Sequence, residues 1–281
     1  MSLSVLTELA AVEIKKKKWW DLLDFIEVWH YHELLYFLTW RDIKIKYKQT
    51  VFGIAWAILQ PFLTMVVFSI FFGRFTKVPS DGIPYPVFVY IGLLPWSFVS
   101  SALSRSGNSL IASSNLITKV YFPRVIIPLS ASISVLIDFF FASTILVGMM
   151  FFYNFIPDIY GIIMVPVLIL LTLIVAVGSG LWLSALSVEY RDFQYVIPFL
   201  VQIWMFTTPV IYPLTIFPDK YRWILSLNPM GGIIDAFRAS ILGHQPMNWN
   251  LLIISSGIGL LIFFTGLIYF RKAEHSFADV I

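Results

Sequence analysis

Long apolar runs separated by short polar stretches dominate this chain. They fall at Val51–Phe72, about Pro86–Ile111, Val125–Tyr153, Ile162–Val188, about Tyr195–Tyr212 and Leu251–Phe270. Each reaches or approaches the roughly 20 residues that cross a bilayer. In lipid such runs must be helical, because the backbone finds hydrogen-bond partners only within its own segment. The pattern therefore predicts an all-α integral membrane protein with six transmembrane helices. Charged side chains inside the runs are few: Arg105 in the last third of the second and Asp138 in the third, while Gln60 is the only strongly polar residue of the first.

Two connecting regions are more than loops. Before the first run, Tyr31, Leu34, Leu35 and Leu38 recur at helical spacing, followed by Arg41, Lys44, Lys46 and Lys48. This reads as an amphipathic helix lying along the inner leaflet. Between the fifth and sixth runs, short apolar pieces at Trp223–Leu227 and Ile233–Leu242 are joined by Asn228-Pro229. Ten helical residues cover about 15 Å, half a bilayer, so these are expected to be short re-entrant or interfacial helices on the external side. Three regions result: residues 1–50 as a cytoplasmic N-terminal region with the interfacial helix, 51–270 as the six-span domain, and 271–281 as a cytoplasmic tail. Small residues four apart, Gly180 with Ser184 and Ser255 with Gly259, suit close helix packing.

Composition narrows the function. Only 12% of the 281 residues are charged and mean hydropathy is +0.84, so the chain has no room for a separate soluble catalytic domain. It contains no cysteine, which excludes disulfides, thiolate metal sites and cysteine nucleophiles. With the N-terminus inside, 14 Lys and Arg fall on the cytoplasmic side and 5 on the other, so both termini are expected in the cytoplasm. No G-x-x-x-x-G-K-[ST] phosphate loop occurs, and Asp138 is the only carboxylate well inside a run. Ion-gradient coupling usually needs ionisable groups in the membrane, and the runs hold few of them. A proton-relay role for Asp138 competes with a hydrogen-bonded packing role.

The segment Leu34–Pro61, LLYFLTWRDIKIKYKQTVFGIAWAILQP, resembles the start of the permease subunits of polysaccharide-exporting ABC transporters, which move O-antigen, capsule or teichoic-acid chains. NLITKVYFPR at Asn115–Arg124, VEYRDF at Val188–Phe193 and the NPM turn at Asn228–Met230 with Arg238 beyond it look like the same family. The resemblance runs in order from Leu34 to Phe270; the first 30 residues, including the lysine run Lys15–Lys18, are an extension that it does not place.

The resemblance implies a homodimer in the bacterial inner membrane, working with two copies of a separate ATP-binding subunit. ATP and Mg would be bound by that partner and no cofactor by this chain. It also implies a coupling helix at Asn115–Arg124. Asn115 is expected as its N-cap, with Leu116, Ile117, Val120 and Tyr121 on one face and Phe122-Pro123 as its end; the same stripe also fits a helix resting on lipid. Glu189, Arg191 and Asp192 form a charged turn that is either a second contact to the ATPase or a set of span-end anchors.

Aromatic residues make up 17% of the chain. Trp56, Tyr90, Trp96, Phe98, Trp204 and Tyr212 are the candidates for a channel wall that holds sugar rings by their C–H faces, with lipid contact or core packing as the ordinary reading. Arg41, Lys44, Lys46 and Lys48 are the candidates for a lipid pyrophosphate headgroup, although positive residues before a first span also serve topology. Two other functions remain open on the sequence alone. One is export of a small hydrophobic drug or lipid. The other is a polyprenyl-phosphate transferase, for which His30, His32 and Glu33 are the nearest constellation; no metal site and no catalytic residue is assigned.

Overall fold

The computed structural model describes residues 25–48, 53–218, 220, 222–243 and 246–277. The lysine run Lys15–Lys18 and the end of the C-terminal tail lie outside the described residues. Helices follow in the order α1 (Phe25–His30), α2 (His32–Lys48), α3 (Ala55–Phe68), α4 (Tyr85–Ala112), α5 (Ser114–Lys119), α6 (Ile126–Ser134), α7 (Leu136–Tyr153), α8 (Ile159–Glu189), α9 (Phe193–Thr207), α10 (Arg222–Ser226), α11 (Pro229–Leu242) and α12 (Trp249–Ala273). No strand occurs among the described residues.

Five helical stretches are long and apolar enough to cross a membrane: Ala55–Phe75, Tyr85–Ala112, Ile126–Tyr153, Ile159–Glu189 and Trp249–Ser276. They match five of the six expected runs. The sixth differs. The stretch expected to span about Tyr195–Tyr212 is helical only over Phe193–Thr207, 15 residues or roughly 22 Å. Thr208 turns extended because the following Pro209 crowds a helical backbone at the residue before it. Tyr212 consequently lies beyond the helix, in a segment that folds back over the bundle.

The bundle is organised around α4. This 28-residue helix opens on Pro84 and Pro86 flanking Tyr85, where missing N–H groups cost nothing. Its core-facing residues extend from Val87 to Leu110, and α3, α6, α7, α8, α9 and α11 all touch it. A helix apolar on every side belongs inside a bundle. Its packing with α8 is close, and a Cβ on Gly180 would stand 2.8 Å from the Cβ of Ser106. Gly178, two residues away, meets the backbone of Phe263 on α12. These small residues let three helices approach at backbone distance.

The third run is not one straight helix but α6 and α7, separated at Val135. Serines explain the break. Ser130 and Ser134 donate to the carbonyls of Ile127 and Ala131, each at 2.8 Å, and Ser106 of α4 donates to Pro128 O at 2.9 Å. Side-chain bonds of this kind compete with the helix ladder and bend it. The first run likewise changes character, α3 passing into a wide π turn over Ser69–Phe75.

At one end, α10 and α11 dock as short helices, Asn228 capping α11 by accepting from Met230 N at 3.0 Å. Arg238 on α11 is buried, with its guanidinium 3.7 Å from the Phe88 ring centroid. It donates to Val210 O at 2.7 Å and Phe88 O at 3.4 Å. At the other end, Leu38 of α2 is 2% exposed in a second core with Leu110, Ile117, Phe122, Leu181 and Phe270. The amphipathic helix expected before the first run is thus docked on the bundle as well as lying beside it.

Gly180→Val is expected to overpack the α4–α8 contact and cost about 1–3 kcal/mol, whereas Gly257→Ala, whose Cβ meets nothing within 4 Å, is expected to be neutral. Thermal unfolding of both variants in lipid nanodiscs checks this; equal melting temperatures would remove the contact from the list of stabilising ones.

Candidate functional site

The segment expected to couple to an ATPase sits at the α2 end of the bundle. Its helix, α5, starts at Ser114, so Asn115 lies inside the first turn and Ser113 takes the N-cap position. The expected single apolar face is divided. Ile117 is buried and Leu116 packs behind it in the core with Leu38 and Phe122. The helix ends at Lys119 and Val120 is extended, which swings Val120 and Tyr121 outward to 53% and 85% exposure. Two residues anchor the segment and two are presented. Arg124 then fastens it to the end of α12: its backbone N donates to Glu274 Oε1 at 2.8 Å and its guanidinium to Glu274 O.

Glu189 closes α8 and accepts from Tyr269 Oη of α12 at 3.0 Å, while Arg191 and Asp192 in the following turn are exposed. Tyr269 and Glu274 are five residues apart on α12, about 7.5 Å of rise. The charged turn and the α5 segment therefore share one end of the bundle.

A cavity of about 230 Å³ opens between α3, α4 and α7. Trp56, Gln60 and Thr64 line it from α3 at four-residue spacing, facing Trp96, Ser97, Phe98 and Ser100 of α4. Half of Trp56 is exposed; Trp96 and Phe98 are largely packed. Trp96 stands edge-on to Trp204 at 5.8 Å, and Trp204 Nε1 donates to Asn228 Oδ1 at 3.0 Å. The structure thus joins Trp56, Trp96 and Phe98 in one wall, with Trp204 outside the cavity, backing Trp96. It does not bring in Tyr90, which is sealed in the core with its hydroxyl donating to Ala142 O at 2.8 Å. Nor does it bring in Tyr212, whose hydroxyl donates to Phe206 O at 3.0 Å in the segment beyond α9.

The four basic residues of α2 do not form one cluster. Successive helical residues turn by about 100°, so Lys46 lies on the face opposite Lys44 and Lys48, which are exposed. Arg41 is engaged by its neighbour Asp42 at 2.8 Å. Lys46 reaches into the bundle and pairs with Asp138 in the first turn of α7, and Tyr47 donates to the other oxygen of the same carboxylate. Burial pushes the Lys46 ammonium below the usual lysine range, against the opposing pull of Asp138. Burial and the Asp138 bond together push the Tyr47 phenol upward. Asp138, which the sequence left between two roles, is the acceptor that ties α2 to α7. Among the described residues no group of three or more His, Asp or Glu is placed to hold a metal ion.

A profile of the family described as ABC-2 type transporter matches residues 33–242. The chain belongs to that family. Its members are membrane subunits of ABC transporters, and this agrees with the resemblance drawn from the sequence. Among curated relatives, the O-antigen export system permease protein RfbA of Klebsiella pneumoniae is 28% identical over 249 residues, covering 89% of this chain and 95% of the relative. RfbA of Myxococcus xanthus is 28% identical over 258 residues, with 91% and 98% covered. The polysialic acid transport protein KpsM of Escherichia coli is 23% identical over 240 residues, with 84% and 92% covered.

Sequence reasoning on this ABC-2 family chain missed Glu274. Nothing in the pattern of a C-terminal tail announces a carboxylate that returns to a loop 150 residues away. Glu274→Ala is expected to cost about 1–3 kcal/mol by leaving the Arg124 N–H without its acceptor and removing the Arg271 ion pair, read as a lower melting temperature in nanodiscs. An unchanged melting temperature would show the contact to be incidental.

Proposed function

We propose that this chain is the channel-forming permease of an ATP-driven exporter of a lipid-linked polysaccharide, O-antigen in the first place, across the bacterial inner membrane. The observation that carries the reading is similarity along almost the whole chain to permeases named for O-antigen export. In this reading the permease is a homodimer with both termini in the cytoplasm, driven by two copies of a separate subunit that binds ATP and Mg. α9 serves as the sixth crossing. Its helix covers roughly 22 Å, and the turn at 208–212 closes that end of it, held by Tyr85 and Arg238 through the carbonyls of Ile211 and Val210.

The parts then have distinct tasks. Val120 and Tyr121 are the exposed apolar contact for a groove on the ATPase, with Asn115 beside them and Leu116 and Ile117 holding the segment to the bundle. Glu189, Arg191 and Asp192 form a second contact at the same end. Trp56, half exposed and backed by Trp96, Phe98 and, behind Trp96, Trp204, offers a π face to sugar C–H groups, with Gln60 and the α4 serines beside it. Such contacts hold a polymer at many points without reading one hydroxyl pattern, which lets it slide. In this reading Arg41, Lys44, Lys46 and Lys48 meet the lipid pyrophosphate from different faces of α2, and Arg offers it paired N–H donors. This chain carries out no covalent chemistry.

Two outcomes test the reading. Tyr121→Asp is expected to leave membrane insertion intact while lowering export at least about tenfold, the scale of one lost apolar anchor, with the partner still hydrolysing ATP; unimpaired export would take Tyr121 out of the coupling contact. Trp56→Ala is expected to reduce surface glycan of long chain length more than short, scored on gels of extracted lipopolysaccharide in a strain complemented by the variant. A length distribution like that of the unmodified chain would remove Trp56 from the wall, and failure of the unmodified chain to restore any glycan export would sink the assignment itself.

A further inference from the structure

Lys46 stands between two hollows. On one side is the aromatic cavity; on the other, a second cavity of about 290 Å³ opens between α2, α4 and α6. Arg41, Lys46 and Arg105 all line this second cavity, with Asp42 as its one carboxylate. Arg41 is satisfied by Asp42 and Lys46 by Asp138. Arg105 makes no hydrogen bond or ion pair with any described residue, yet its charge bears on both Lys46 and Tyr47. It sits seven residues before the end of α4, about 10 Å from that end. A guanidinium at this depth is costly unless an anion or water meets it.

The count of charges is lopsided: three cations face the cavity, and both carboxylates within reach, Asp42 and Asp138, are already engaged. We propose that Arg105, with Lys46 and Arg41, forms an interior site for a phosphate group. Its occupation transfers Lys46 from Asp138 to the ligand and so loosens the tie between α2 and α7, which Tyr47 then holds alone. Asp138 acts as the resting-state substitute for the ligand's negative charge. A phosphate oxygen accepts from Lys46 as the carboxylate does, and it also meets the Arg105 fork, which Asp138 does not. The exchange conserves the pairing of Lys46 and adds a partner for Arg105, so the ligand binds the loosened arrangement better than the resting one. That differential affinity is what a conformational shift requires. The break at Val135, three residues before Asp138, gives α7 a bend about which the contact can open.

The same chemistry is offered by the pyrophosphate of a prenyl-linked glycan, by an anionic phospholipid and by free phosphate. The choice of the prenyl source rests on the export reading above; the phosphate site does not.

The absence of cysteine makes a distance measurement direct. Spin labels at Trp40→Cys on α2 and Val147→Cys on α7, both exposed positions, report the α2–α7 separation in the full chain by dipolar spectroscopy. Nanodiscs of phosphatidylcholine alone are compared with nanodiscs doped with a polyprenyl pyrophosphate, with phosphatidylglycerol, or supplied with inorganic pyrophosphate. The expected result is a longer separation with the prenyl lipid. Arg105→Gln should raise the concentration required at least about tenfold, the equivalent of one charged hydrogen bond, and Arg105→Lys should restore part of the response. Asp138→Asn should show the longer separation with no anion present; should that variant not assemble, Lys46→Gln breaks the same pair from the other side. Equal responses to the prenyl lipid, phosphatidylglycerol and inorganic pyrophosphate support the phosphate site and count against its dedication to an exported lipid. No response to any of the three, or an Arg105→Gln response equal to that of the unmodified chain, overturns the proposal.

Discussion

The burial of α4 is the constraint from which the rest of the molecule takes its place. In a bilayer, helices gain little by hiding apolar side chains from lipid, so they associate where small residues let backbones approach and dispersion contacts multiply. Ser106 against Gly180 provides that approach between α4 and α8, and Gly178 against Phe263 extends it to α12. Around these three helices, α3, α7 and α9 pack on the flanks of α4, α3 also against α7 and α9 against α8, and α11 closes one end.

Polar groups then act as pins at the two ends of this apolar framework. Arg238 donates to carbonyls of α4 and of the segment after α9, holding α11 to both. At the other end Asp138 receives Lys46 and Tyr47, and Glu274 receives Arg124. Hydrogen bonds to charged groups are stronger than neutral ones and their geometry is directional, whereas the apolar contacts around them are not. The surfaces through which a motor and a substrate would act, the α5 segment and α2, are the ones held by such pins. A charged contact is also one that a competing charge can open, which apolar packing does not offer.

The proposed wall and the proposed phosphate site are neighbours rather than separate features, since Lys46 borders both cavities. A ligand with a charged head and a glycan attached would meet the basic residues and the aromatic rings in sequence along one path.

Helix positions, membrane class and family resemblance were all legible in the residues, because span length and apolar periodicity are local properties that lipid enforces on any chain. Even there, local rules had limits: a serine cluster split the third run, and Pro209 ended the fifth early. What the sequence by itself determined was which segments are helical and greasy. What only the tertiary structure decided was the meaning of single side chains. Lys46 and Asp138 are 92 positions apart, and no pattern along the chain tells whether a lysine faces solvent or a carboxylate. Leu116 and Ile117 turn inward while Val120 and Tyr121 turn out, because α5 ends between them. Tyr90 is core and Trp56 is wall for the same kind of reason: an aromatic ring is apolar in any setting, and only its neighbours in space decide what it touches.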